Sequence, residues 1–251
     1  EVQAKYDLID KKLDLKKPMV PQLAKLSREE YMLLVDRPQY LETTDSIVLY
    51  ENPWMDWWVR SDITLNQKVL LPVYSAMFAY SVWLKHQENK EASLVDDVLY
   101  CFGVYIIGCI AWTMMEYKEH RFTLHNFESI PENFDEKTIG DFFFSHHLHH
   151  MFANQEYRIV IPLWHICKVI IPSFLVLYFF FGTVVALDFN AGLGLAQLFY
   201  DSMHFWFHFG GDFKIKFFQD LKEKHMRHHY RDKTKDFGVT SSFWDYVFDT
   251  I

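Results

Sequence analysis

The sequence predicts an all-α integral membrane fold, with about four transmembrane helices in two hairpins and a cytosolic-side helical cap that carries clustered histidines. Three observations predict it. Apolar residues make up 50% and aromatic residues 18% of the 251-residue chain, more than a soluble domain usually holds. They gather in four blocks at about 65–84, 98–115, 163–182 and 184–207, and a spanning helix needs roughly 20 mostly apolar residues. Ten of the thirteen histidines fall in four groups at helical spacing. The mean hydropathy of −0.09 averages these blocks against very polar termini and loops, and so hides them.

Residues 1–60 form a polar arm punctuated by Pro18, Pro21, Pro38 and Pro53, without an apolar run of signal-peptide type. Ser27 and Glu30 form a capping-box pattern that opens a short helix over Ser27–Val35. Trp54, Trp57 and Trp58 beside Arg60 read either as an interfacial aromatic belt or as core packing. From residue 61 to 251 the chain reads as one membrane-embedded domain.

The block at 98–115 is free of charge, whereas the first contains Lys68 and Pro72 and the fourth contains Asp201, His204 and His208. Charged residues at membrane depth are costly unless they serve a site. The link from Lys85 to Asp97 carries Glu88, Glu91, Asp96 and Asp97 against two lysines, while Lys118, Arg121, Lys137, Arg158 and the segment from Lys214 onward flank the other ends. By the positive-inside rule the termini and every histidine group face the cytoplasm or its equivalent.

The groups are His120 and His125; His146, His149 and His150; His204 and His208; His225, His228 and His229. Residues three and four apart share a helix face, so His-x-x-His-His and His-x-x-x-His each aim their rings one way, as a multidentate arm. His120 and His125 are five apart, about 140° on a regular helix. Either the helix unwinds there or the pair addresses both metals, and the second reading is adopted. Ten imidazoles exceed one ion's capacity, and imidazole suits zinc, copper and iron. Two iron ions with four or five nitrogen ligands each and an open position suit dioxygen activation at a non-haem diiron centre, and its place beside apolar blocks suits oxidation of a lipid chain. Zinc fits the same rings in a purified sample.

Glu119-His120-Arg121-Phe122-Thr123-Leu124-His125, His146-His147-Leu148-His149-His150 and Tyr200-Asp201-Ser202-Met203-His204 with His208 resemble the fatty acid hydroxylase superfamily. Leu221-Lys222-Glu223-Lys224-His225-Met226-Arg227-His228-His229-Tyr230, with Phe237-Gly238-Val239-Thr240-Ser241-Ser242-Phe243-Trp244-Asp245, resembles its fatty acid 2-hydroxylase (sphingolipid α-hydroxylase) branch, as does Lys17-Pro18-Met19-Val20-Pro21-Gln22-Leu23. The resemblance covers residues 14–249. It implies a dimetal centre held by those ten histidines beneath a cytosolic cap, hydroxylation beside the acyl carbonyl of a fatty acid or ceramide, and the endoplasmic reticulum membrane, with the mitochondrial inner membrane as the other candidate. The usual cytochrome b5 domain is not in this chain, which implies a separate donor such as cytochrome b5 and its reductase. Phe209 stands where the family commonly has a further histidine. Two alternatives are kept: a catalytically retired subunit of a larger membrane complex, suggested by the tryptophan-rich arm and the missing electron-transfer domain, and a sterol oxidase of the same superfamily.

Asp201 lies three residues before His204 and is read as accepting a ligand imidazole's N–H, with Tyr230 and Asp245 as further supporting residues. His147, one residue off the shared face, points to solvent or to a supporting partner, and His86 and His165 are structural. Cys101, Cys109 and Cys167 sit in apolar runs and read as buried packing residues rather than a disulfide framework or a thiolate site. A net charge of −8 without a basic tract excludes a nucleic-acid partner.

Overall fold

The structure, a computed structural model, describes residues 2–41, 47–88 and 90–251, and these are helical with turns and loops. The amino-terminal segment holds α1 (Val2–Asp10), α2 (Met19–Leu23), α3 (Arg28–Val35) and α4 (Pro53–Trp58). The capping box is present, with the Ser27 hydroxyl accepting from Glu30 N and the Glu30 carboxylate accepting from Ser27 N. Two long helices follow, α5 (Ile63–Glu88) and α6 (Leu94–Lys118). His86 meets Asp97 at 2.9 Å and ties their adjoining ends.

Next come the short helices α7 (Glu136–Phe142) and α8 (Leu148–Met151), then α9 (Leu163–Phe209), α10 (Lys216–Tyr230) and α11 (Phe243–Val247). α9 breaks at Gly182, where φ is +85° and ψ 178°, in a backbone region that only glycine enters freely. The break falls between the two apolar blocks expected at 163–182 and 184–207. Ile166 packs with Leu198, and Ile161 N donates to Asp201 Oδ1 at 3.2 Å, so the arms on either side of Gly182 run back along each other. Phe179, Phe180 and Phe181 stand exposed at the turn.

The second arm of α9 is the central helix. It buries Ala186, Asp188, Asn190, Ala191, Gly192, Leu193 and Gly194, and both α5 and α6 lie against it. A Cβ on Gly108 would collide with the Phe189 carbonyl and one on Gly192 with that of Tyr105, so the α6 and α9 backbones touch. Leu94–Leu124 and Glu156–Phe209 are long and apolar enough to cross a membrane by length and composition.

The polar arm is folded onto the histidine-bearing segment. Met19, Val20, Leu23, Tyr31, Leu34 and Leu49 share one core with Ile139, Phe143, Leu148, Met151 and Phe152. Arg158, with its side chain buried, bonds Asp56 Oδ1 at 2.9 Å and the Ile47 carbonyl at 2.9 Å, pinning the arm to the approach of α9. Trp54, Trp57 and Trp58 are exposed, so the core-packing reading fails for them. Of the cysteines only Cys101 is buried, because Cys167 lies on the outward face of α9.

Candidate metal centre

Four structural pieces bring the ten histidines together. α6 widens at its end into a π-helical turn, Glu119–Leu124, and a second π-turn, Phe143–His147, leads into α8. The last turn of α9 carries His204 and His208, and α10 carries His225, His228 and His229. His120, His125, His146, His150 and His228 form one group and His149, His204, His208, His225 and His229 another, each with five candidate ligand atoms within 4.8 Å of one another. All are buried except His125 and His208, which are half-buried.

Two expectations are corrected here. His120 and His125 do not address separate groups. The π-turn, closed by His125 N donating to the His120 carbonyl at 3.2 Å, has more residues per turn and brings positions five apart onto one side. Nor does each His-x-x-His-His run act as one arm. His146 and His150 face the first group while His149 faces the second, and His225 and His229 face the second while His228 faces the first. At 100° per residue, an i,i+4 pair stays within about 40° while the i+3 ring sits about 60° to the other side. Each run therefore supplies two rings to one group and one to its neighbour.

The donor set fits a cation in each group. His146 Nε2 lies 3.0 Å from the Nε2 atoms of His120 and His125 and 2.8 Å from that of His150. In the second group, Nε2 of His204 is 2.9 Å from that of His149, and Nε2 of His208 is 2.9 Å from that of His225. His120 Nδ1 donates to the Phe237 carbonyl and His228 Nδ1 to the Lys235 carbonyl, each at 2.6 Å, so both carry their proton on Nδ1 and turn a bare Nε2 inward. Burial pushes the His228 imidazole down to about 4 and holds His125, His146, His149, His150, His225 and His229 well below the ordinary histidine value. Neutral rings with converging lone pairs repel unless a cation sits among them.

The supporting residues differ from those expected. Asp201 does not hold an imidazole: its carboxylate accepts from Ile161 N and, at 2.5 Å, from Gln197 Nε2. Tyr230 is 55% exposed and, among the described residues, makes a ring contact with His229 and no hydrogen bond. Asp245 supports the site one step further out, accepting from Phe237 N at 2.8 Å and Gly238 N at 2.9 Å, and so fixes the carbonyl that holds His120. Glu116, which sequence reasoning missed, grips the next residues, accepting from Val239 N at 2.5 Å and Thr240 N at 2.9 Å. Its position just past an apolar block resembles an ordinary helix-end carboxylate, so no local signal distinguishes it. His147 is buried and its Nδ1 meets Tyr31 OH at 2.7 Å, which anchors the second π-turn to α3.

A cavity of about 390 Å³ runs between α6 and the first arm of α9. Ile161, Ile166, Val169, Ile170 and Leu193 give it largely apolar walls, and His120, His146, His149 and His204 of both groups line it beside Glu116, Glu119 and Arg158. His165 also lines it.

A family model described as fatty acid hydroxylase matches residues 105–250. The chain is 28% identical over 95% of its length to a ceramide very long chain fatty acid hydroxylase of Schizosaccharomyces pombe, covering 65% of that protein. It is 27% identical, again over 95%, to the fatty acid 2-hydroxylase of Mus musculus, of which it spans 64%, and to a dihydroceramide fatty acyl 2-hydroxylase of Arabidopsis thaliana, of which it spans 93%. Among solved structures, one described as full-length scs7p with only the hydroxylase domain visible superposes with a TM-score of 0.83 at 25% identity, over 100% of this chain and 89% of that one.

Proposed function

Because the chain belongs to the fatty acid hydroxylase family, we propose that it is a membrane-bound non-haem diiron oxygenase that hydroxylates a fatty acyl chain at the carbon beside its carbonyl. The observation that carries this reading is the meeting of two five-histidine groups on the lining of a largely apolar cavity. His120, His125, His146, His150 and His228 would hold one iron and His149, His204, His208, His225 and His229 the other. Iron held by these rings would supply dioxygen activation.

The chain's own residues do the rest. The apolar walls take the acyl chain and exclude water from the reacting carbon. The Phe237 carbonyl holds the Nδ1 proton of His120, and the Lys235 carbonyl that of His228, on the side of each ring away from its group. Asp245 and Glu116 keep the 237–240 loop from shifting, and with it His120. We read α5, α6 and the two arms of α9 as four spans, with residues 1–60 packed on the cytosolic cap of the 61–251 domain. Electrons would come from a donor such as cytochrome b5 and its reductase, and we assign the protein to the endoplasmic reticulum membrane, a location the resemblance supports.

The test is His228→Ala in cells lacking other 2-hydroxylases. Loss of even an outer partner of a metal ligand costs roughly 10- to 100-fold, so loss of a ligand is expected to remove 2-hydroxylated acyl lipid to below about one hundredth. Undiminished product, read by mass spectrometry at equal protein level, would overturn the reading.

A further inference from the structure

Away from the metal centre, three indoles and a phenol gather where α4 meets the starts of α5 and α9. Trp57, Trp58, Tyr157 and Trp164 line a groove of about 380 Å³ together with Arg60 and Asp62, a size within the roughly 300–1,000 Å³ of small-molecule sites. The Trp58 ring stands at 75° to that of Trp57 and at 88° to that of Trp164, with centres 5.4 and 6.4 Å apart, so the rings meet as walls at near right angles and not as a flat stack. Trp164 Nε1 donates to the Trp58 carbonyl at 2.6 Å, and Ser61 N donates to the Tyr157 carbonyl at 3.0 Å, which ties the two sides of the groove together. Trp57, Trp58 and Tyr157 nevertheless remain exposed.

The groove carries charge of both signs. The guanidiniums of Arg60 and Arg158 each lie 2.9 Å from the buried Asp56 carboxylate, so two cations share one anion and a positive charge is left over at the exposed Arg60. Asp62 supplies the negative charge, held in place by Thr64 N at 2.7 Å and Leu65 N at 3.2 Å in the first turn of α5. Indole faces attract cations, and this cluster already holds one, with Lys168 Nζ 4.1 Å from the centre of the Trp164 ring. Leading away from the groove, Leu65 and Val69 on α5 and Ile171 on α9 are exposed apolar side chains, a surface suited to the tails of a lipid whose head sits in it.

We propose that this groove binds the phosphocholine headgroup of a bilayer lipid: Arg60 takes the phosphate, and the ring faces of Trp57, Trp58 and Tyr157 take the trimethylammonium group. That group carries methyl surface and no N–H, so it loses little when it leaves water for a ring face, whereas the ammonium of an ethanolamine head would leave N–H donors unpaired there. A glycerol head brings no cation to the rings. The bound lipid fastens α4, and with it the amino-terminal arm, to the membrane surface beside the first arm of α9. The assignment rests on the reading of α5 and α9 as spans, which sets the groove at headgroup depth, and not on the hydroxylation chemistry.

Native mass spectrometry of the purified full chain, stripped of lipid and offered equal amounts of dioleoyl phosphatidylcholine, phosphatidylethanolamine and phosphatidylglycerol, tests it. The wild type is expected to retain the choline lipid over each of the others by about fivefold, the worth of a cation–π contact at a partly exposed site. Trp57→Leu with Trp58→Leu should bring the choline-to-ethanolamine ratio to near one, while Trp54→Leu, an exposed ring outside the groove, should leave it unchanged. Equal retention of the choline and ethanolamine lipids by the wild type, preference for the glycerol lipid, or an undiminished ratio in the double variant overturns the proposal. So does displacement of the choline lipid by an equal amount of water-soluble phosphocholine, which would make the ligand a soluble one. Should the double variant fail to fold, Arg60→Gln leaves Asp56 paired with Arg158 and should weaken the choline and ethanolamine lipids by a similar factor, and unchanged retention of both then overturns it. Recovery of the chain from cells without detergent would defeat the span reading, whereas a membrane-bound chain without the preference would defeat this assignment alone.

Discussion

The peptide N–H of His125 donates to the carbonyl of His120 at 3.2 Å, closing a π-turn that sets both imidazoles in the same group of five. Residues that act on one ion should fail together. His120→Ala and His125→Ala are each expected to lower bound metal from about two ions per chain to about one, and the double variant should be no worse than either, the non-additivity of a shared unit. Elemental analysis of the purified variants checks this. Full additivity, with two different ions lost, would mean that the pair is divided between the groups.

Asp245 is fully enclosed and accepts from Phe237 N, Gly238 N and the Thr250 hydroxyl. Asp245→Ala strands two buried peptide N–H groups and frees the carbonyl that orients His120. The expected cost is about 3 kcal/mol in folding stability and roughly 10- to 100-fold in metal affinity. Thermal unfolding in detergent and chelator competition measure the two effects, and a variant that unfolds and binds metal as the wild type does would show the loop to be self-supporting.

Acid should destabilise the metal-free protein. Burial lowers the His147 and His228 imidazoles to about 4 in the folded chain, below the unfolded value near 6.5. Between those values the unfolded state binds more protons, so the contribution of these two groups is complete above about pH 6.5, declines as pH falls towards 4 and then levels off, while the more strongly depressed histidines go on lowering stability below that. His147 alone contributes about 3 kcal/mol to that decline. The unfolding midpoint of metal-free protein followed from pH 7 to 4 tests the sign, and His147→Asn should reduce the slope by one proton.

Gly192 faces the Tyr105 carbonyl across the α6–α9 contact, whereas Gly211 has open space around its Cα. Gly192→Leu must part the two helices and is expected to cost about 1–3 kcal/mol or more, while Gly211→Leu should be near neutral. Detergent thermostability of the two variants side by side is the measurement, and equal midpoints would contradict close backbone packing.

Sequence alone determined the helical class, the break between the third and fourth apolar blocks, the Ser27 cap and the ten histidines, because each is written in local spacing or composition. It misjudged how those histidines divide. A helix shows which rings share a face but not that two neighbouring clusters draw on one helix, nor that a π-turn replaces the regular turn at His120. Asp201 lay near a candidate ligand along the chain, yet the fold turned it to Ile161 and Gln197 instead. Glu116 gained its role only where α6 meets the 237–240 loop. Spacing along one helix is fixed by backbone geometry and is legible residue by residue. The pairing of a carboxylate with peptide N–H groups more than a hundred residues away depends on how helices settle against one another, which only the packed chain decides.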